Sequence, residues 1–137
     1  MNPLLYTDGY KVDHRRQYPE QTTLVYSNWT PRKSRIAGIN EVVFFGLQYF
    51  IKKYIIEDFN KNFFNQPKEE ISKRYSRRIN NYLGENKVGI EHIEALHDLG
   101  YLPMVIKALP EGVSVPVRVP INCALAKAKL KTKMRVI

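Results

Sequence analysis

Cysteine is nearly missing from this chain: 137 residues hold one thiol, Cys123. No internal disulfide can form, and a reducing compartment is the natural setting. The three histidines join no Cys/His cluster with ligand spacing, so no metal centre is expected. Apolar runs fall far short of the roughly 18 residues that a membrane-spanning helix needs. The opening MNPLLYTDGY lacks a cationic stretch followed by an apolar one, so no secretory leader is expected either. Internal repeats, a phosphate-cradling glycine loop and a Ser or Cys nucleophile motif are all missing. The chain is therefore expected to be cytoplasmic, without membrane partners, and to carry no self-contained nucleophilic or metal-dependent active site.

The composition is 44% apolar, 12% aromatic and 26% charged, which is globular rather than disordered. The length gives room for one domain. Net charge is +9, but it is unevenly placed. Residues 121–137 contain Lys127, Lys129, Lys131, Lys133 and Arg135 and no acid, while the first 120 hold 17 basic and 13 acidic side chains. More than half of the excess sits in one short tail. The mildly basic body suits a phosphate-bearing small ligand better than a polynucleotide.

Along the chain, Thr7 or Asp8 offers a side-chain oxygen to cap a short helix that runs to about Tyr18, and Pro19 stops it. TTLVYSNWTP (22–31) reads as a strand, with Leu24, Tyr26 and Asn28 on one face and Val25, Ser27 and Trp29 on the other. RKSRIAGIN (32–40) reads as a basic loop. EVVFFGLQYFIKKYIIEDF (41–59) is apolar nearly all round and reads as a buried helix, in which Gly46 would be tolerated for a close contact. From Pro67, the residues Ile71, Tyr75, Ile79, Tyr82 and Leu83 share a helical face, and Gly84 ends the run. Lys73, Arg74, Arg77 and Arg78 lie largely elsewhere and read as a solvated face. A further helix over GIEHIEALHDLG turns Ile90, Ile93 and Leu96 inward and stops at Gly100. His92 and His97 read as packing or surface residues. LPMVIKALPEGVSVPVRVP then gives an apolar run, a Pro-Glu-Gly turn and Val113, Val115, Val117 and Val119 at period two. This is a β-hairpin or a pair of strands, with Pro116 confining the second to an edge. The predicted class is α+β: a short N-terminal helix, strands, three helices and a β-hairpin.

Four stretches in this order, TDGYKVDHRRQYP, VYSNWTPR, VVFFGLQYFIKKY and GYLPMVIKALPEGVSVPVRVP, resemble the N-terminal region of the nicotinamide phosphoribosyltransferases. The resemblance covers roughly residues 4–120. It implies the N-terminal module of a type II phosphoribosyltransferase, without the α/β barrel that follows it in the full-length family enzyme. That enzyme joins nicotinamide to 5-phosphoribosyl-1-pyrophosphate, giving nicotinamide mononucleotide for NAD salvage. It is a homodimer with active sites at the subunit interface, and Mg²⁺ and ATP are its implied cofactors. By the same resemblance, Tyr10 stacks on the pyridine ring in the partner's site, Asp8 is the acid beside it, and Arg32 approaches phosphate groups. His14 also matches a family position, with holding the short helix as its expected role. No residue of this stretch is expected to be catalytic, none binds a metal, and the chain by itself is expected to bind no cofactor and to show no turnover.

The physics suits those roles. A tyrosine face grips a flat heterocycle and tolerates the positive charge that ribosylation gives it. A carboxylate nearby favours a developing pyridinium, and an arginine fork suits phosphate oxygens. The resemblance ends at INCALAKAKLKTKMRVI, where lysines alternate with residues that mostly prefer helix. The expected division is a family domain over 1–120 and an unmatched basic tail over 121–137, the kind of lysine-rich text that a shifted frame in adenine-rich coding sequence produces. Three alternatives stay open on the residues: a nicotinate phosphoribosyltransferase fragment, a non-catalytic module that docks on an intact synthase, and a small basic nucleic-acid binder using the tail and the 73–78 cations.

Overall fold

In the computed structural model, residues 1–85 and 87–127 are described. Two short 3₁₀ turns, Pro3–Leu5 and Gly9–Asp13, lead into α1 (His14–Gln17). Then come β1 (Leu24–Trp29), β2 (Glu41–Val43) and α2 (Leu47–Phe50), which widens into π-type turns over Ile51–Asp58 and Asn60–Phe64. After these follow α3 (Lys68–Leu83), α4 (Glu91–Leu99), β3 (Met104–Ala108), β4 (Ser114–Pro116) and β5 (Asn122–Lys127). The chain forms two compact units, one from residues 1–22 and 51–102, the other from 23–50 and 103–137. The class is α+β, as expected.

The first unit is helical. Pro67 precedes α3, whose first turn carries Glu69 and Glu70 at the positive end of the helix dipole. Ile71, Tyr75 and Ile79 recur every fourth residue, so one face of α3 is buried. They close on Phe63, which is fully buried, and on Val88 and Ile93. Gly84 and Gly100 end α3 and α4 with φ of 98° and 77°, a region that costs other residues steric strain. The N-terminus is tied to this core by Leu4, Leu5 and Val12. Asn2 helps: its Oδ1 accepts a 3.0 Å bond from the Leu4 N–H and so caps the first turn.

The second unit is built on strands. A three-stranded antiparallel sheet has the order β1-β5-β3, and β2 pairs with β4 in a separate two-stranded sheet. Phe44, Val115 and Ile121 form its core, with Val42, Leu47 and Leu109 packed around them.

Two expectations need correcting. The run 41–59 is not one buried helix: 41–43 form a strand, and the helix begins at Leu47. Gly46 has φ of 90° and nothing within 4 Å of where a Cβ would stand, so it serves as the turn before the helix rather than as a close contact. No residue of 47–64 is Pro or Gly, and nothing in the sequence explains the wide π turns there. The expected β-hairpin is instead a pair of strands in different sheets. Leu109 N–H donates to the Ile121 carbonyl at 3.1 Å, while Gly112 N–H donates to that of Phe44 at 2.7 Å, so the chain is drawn apart at the turn. The start of the basic stretch, 121–127, is part of this unit: Ile121 is 2% exposed and β5 lies between β1 and β3. Lys129, Lys131, Lys133 and Arg135 lie outside the described residues.

Candidate functional site

Asp8 takes an extended conformation, φ −62° and ψ 135°, directly before the 3₁₀ turn Gly9–Asp13. It stands where an N-cap stands, yet its side chain makes no capping bond. Its carboxylate turns instead to Lys11, with Oδ2 to Nζ at 2.9 Å, while the Lys11 N–H donates to the Asp8 carbonyl at 2.9 Å. The Lys11 ammonium, bonding and attracting the carboxylate, holds Asp8 below the usual carboxylate range, and the Tyr10 hydroxyl adds to this. Asp8 in turn raises Lys11. At physiological pH the pair is charged and solvent-facing.

Tyr10 is 61% exposed. Its ring meets that of His14 at 5.6 Å in a tilted arrangement, and Lys11 Nζ is 5.6 Å from its centroid. His14, at the start of α1, therefore braces the phenol from within the same segment. Asp8, Tyr10, Lys11 and His14 thus form an exposed group on a segment whose neighbours Leu5 and Val12 are anchored in a core. A rigidly based, outward-facing aromatic ring with a carboxylate beside it can receive a flat, cation-prone ligand.

Arg32 is exposed and belongs to the other unit, on the loop between β1 and β2. That loop is tied at both ends: Arg118 N–H donates to the Pro31 carbonyl at 2.6 Å and Val117 N–H to that of Asn40 at 2.8 Å. Arg118 itself holds φ of 71°. So the structure brings Asp8 and Tyr10 together in one unit and places Arg32 in the other.

The remaining histidines pack. His97 donates from Nε2 to the Gln66 carbonyl at 2.8 Å and meets Phe63 edge-on at 5.4 Å. His92 accepts a 3.3 Å bond from Arg15 and meets Tyr75 edge-on. Among the described residues no group of three or more His, Cys, Asp or Glu is suited to a metal ion. One feature was not legible as a site in the sequence: Arg74, Arg77 and Arg78, read there as a solvated face, line a groove together with the N-terminal residues. The signal was present, since Arg74, Arg78 and Tyr82 are spaced four apart and so share a helix face.

An α+β module that presents an aspartate and a tyrosine outward near its N-terminus is the class of protein defined so far. The family model described as "Nicotinamide phosphoribosyltransferase, N-terminal domain" matches residues 2–106, and the chain belongs to that family. It is 56% identical over 126 residues to a nicotinamide phosphoribosyltransferase of Acinetobacter baylyi, an alignment covering 88% of this chain. The chain spans about a quarter of that relative's length, 25%. No helix among the described residues is long and apolar enough to cross a membrane.

Proposed function

We propose that this chain supplies one wall of a nicotinamide phosphoribosyltransferase site, donated across a subunit interface to a barrel that lies outside it. In that reading Tyr10 lies flat against the pyridine ring of nicotinamide. Asp8 stabilises the positive charge that develops on the ring and the ribose as 5-phosphoribosyl-1-pyrophosphate loses pyrophosphate. Arg32 contacts phosphate oxygens of substrate or product. The observation that carries the reading is the exposure of Tyr10 beside Asp8, on a segment whose apolar residues are anchored while its polar ones face out.

Group transfer needs donor, ring and electrostatic partners held within a fraction of an ångström. This chain holds a ring, an acid and Arg32 but not the barrel that would complete the site around them, so it has no turnover by itself. The described residues offer no set of ligands for the Mg²⁺ of the full-length family enzyme and no glycine loop for ATP, and no step is derived through either.

Two experiments test this. Purified chain incubated with nicotinamide, 5-phosphoribosyl-1-pyrophosphate, Mg²⁺ and ATP should yield no nicotinamide mononucleotide; product would overturn the claim of inactivity. Residues 1–120 fused to the remainder of the Acinetobacter relative should turn over. In that fusion Tyr10→Ala should lower kcat/KM for nicotinamide about 10–100-fold, the worth of one stacked ring, while Tyr10→Phe retains most of it. An unchanged kcat/KM in the alanine variant would end the stacking role.

A further inference from the structure

We propose that the groove between the N-terminal segment and α3 binds a phosphorylated small molecule that carries a flat ring, a ligand of nucleotide chemistry. The groove measures about 590 Å³, within the usual ~300–1,000 Å³ range of small-ligand sites. Neither Asp8 nor Tyr10 lines it.

Its charge is one-sided. Arg74, Arg77 and Arg78 all border it and no acidic side chain does. Arg74 is partly spent on Glu70, one turn back on the same helix. Arg77 and Arg78 have no carboxylate partner among the described residues. A guanidinium fork presents several N–H donors at fixed angles, which fits the oxygens of a phosphate.

Asn2 fixes the edge of the groove. It borders the groove, is only 6% exposed, and uses its Oδ1 to cap the first turn, so the N-terminal wall is held in place.

Tyr82 supplies the ring platform. It lines the groove with its ring against Gly9, where any added Cβ would overlap the Tyr82 ring. Even so, 61% of its surface stays open. Glycine at position 9 is thus what lets the phenol lie down against the backbone while remaining accessible. Leu5, Val12 and Ile79 provide an apolar floor. Cations at one part of the wall, an open aromatic ring and an apolar floor match a phosphate joined to a heterocycle. A polynucleotide would use an open basic surface, and Lys73, the outward cation on α3, takes no part in this concave one.

The test titrates the ¹⁵N-labelled full chain with adenosine 5′-monophosphate, with inorganic phosphate and with adenosine, following amide shifts. Saturable binding of the monophosphate is expected, with shifts centred on residues 2–12 and 74–82 and with adenosine binding far more weakly. Arg78→Gln should weaken the monophosphate about tenfold. Tyr82→Leu should remove its advantage over inorganic phosphate, and Lys73→Gln, which removes equal charge outside the groove, should change neither. Tyr10→Ala should leave the binding intact, which separates this site from the one proposed for nicotinamide. The proposal is overturned by absence of saturable shifts at millimolar ligand, by loss of the binding in Tyr10→Ala, by equal losses in Arg78→Gln and Lys73→Gln, or by binding of a single-stranded oligonucleotide that the monophosphate does not displace.

Discussion

Acid should loosen the helical unit through one side chain, His92. It sits on α4, half-buried, with Nδ1 accepting from Arg15 at 3.3 Å and its ring 6.0 Å from that of Tyr75. Burial disfavours the imidazolium first, the Arg15 cation opposes it further, and Glu91 pulls weakly the other way; together they push the ring down from 6.5 to about 4. In the unfolded chain the ring takes its proton near 6.5, while in the folded chain it waits until about 4. Between those values the unfolded state binds more protons, so stability falls as pH falls through that window and levels off below it. At ~1.4 kcal/mol per tenfold, the upper limit is about 3 kcal/mol, and solvent at the partly exposed ring brings this to about 1–2 kcal/mol.

Histidine-selective NMR titration reads the site directly, and urea unfolding of the intact chain at neutral pH and near pH 5 reads the linkage. His92 should remain neutral well below the value of a free imidazole. His92→Gln should flatten the loss of stability across the window. Asp8 and Asp13, held below the usual carboxylate range by Lys11 and Arg16 in turn, also lose their partners in acid, but only below 3.8, so they do not imitate the effect. A His92 that titrates near 6.5, or a glutamine variant with the wild-type slope, would refute the reasoning.

Other perturbations have equally definite outcomes. Phe63, the fully buried ring of the helical core, should cost about 3–5 kcal/mol on truncation to Ala, measured as a shift in the urea midpoint. Gly9→Ala puts its new methyl where the Tyr82 phenol lies, and because that exposed ring end can swing aside the cost should stay under about 1 kcal/mol; Tyr82→Ala in the same chain should remove even that loss. Ala124→Pro places a residue without an N–H in the central strand, between Ser27 and Ile106, and should cost at least about 2 kcal/mol with loss of the sheet's circular-dichroism signal.

The helices α3 and α4 were readable because their buried residues recur at helical spacing and each run ends in a glycine with positive φ. The face assignment in β1 holds too, since Val25 alone is half-buried while Leu24 and Tyr26 on the opposite face are exposed. What failed has a common cause. The run 41–59 is apolar on all sides, so it carries no period, and only the backbone bonds of 41–44 with 113–116 decide that its first residues form a strand. The hairpin failed because pairing depends on partners distant in sequence. Val115 finds Val42, and β3 finds β5, across separations that no local pattern records. The proposal for Asp8 and Tyr10 stands on motif resemblance, since no helical or strand period singles them out. The arginine groove was missed because a cationic helix face looks solvated until another segment is laid across it.

The boundary expected at residue 120 and the strands divide the chain differently. The family model matches residues 2–106, while Asn122–Lys127, in the stretch expected to be an unmatched tail, run antiparallel to strands on both sides. The backbone supplies the reason: a central strand gains ladder bonds along both edges whatever its side chains, provided none is proline. The side chains need only alternate. Asn122, Ala124 and Ala126 share the face of the half-buried Val25, Met104 and Ile106, where small residues leave room, while Cys123 and Leu125 share the face of Tyr26 and Val105. Helix preference in alanine, a few tenths of a kcal/mol, is too weak to oppose two rows of hydrogen bonds. Period two therefore prevails over propensity in 122–127, and the strand that completes the sheet is recruited by its neighbours rather than by its own composition.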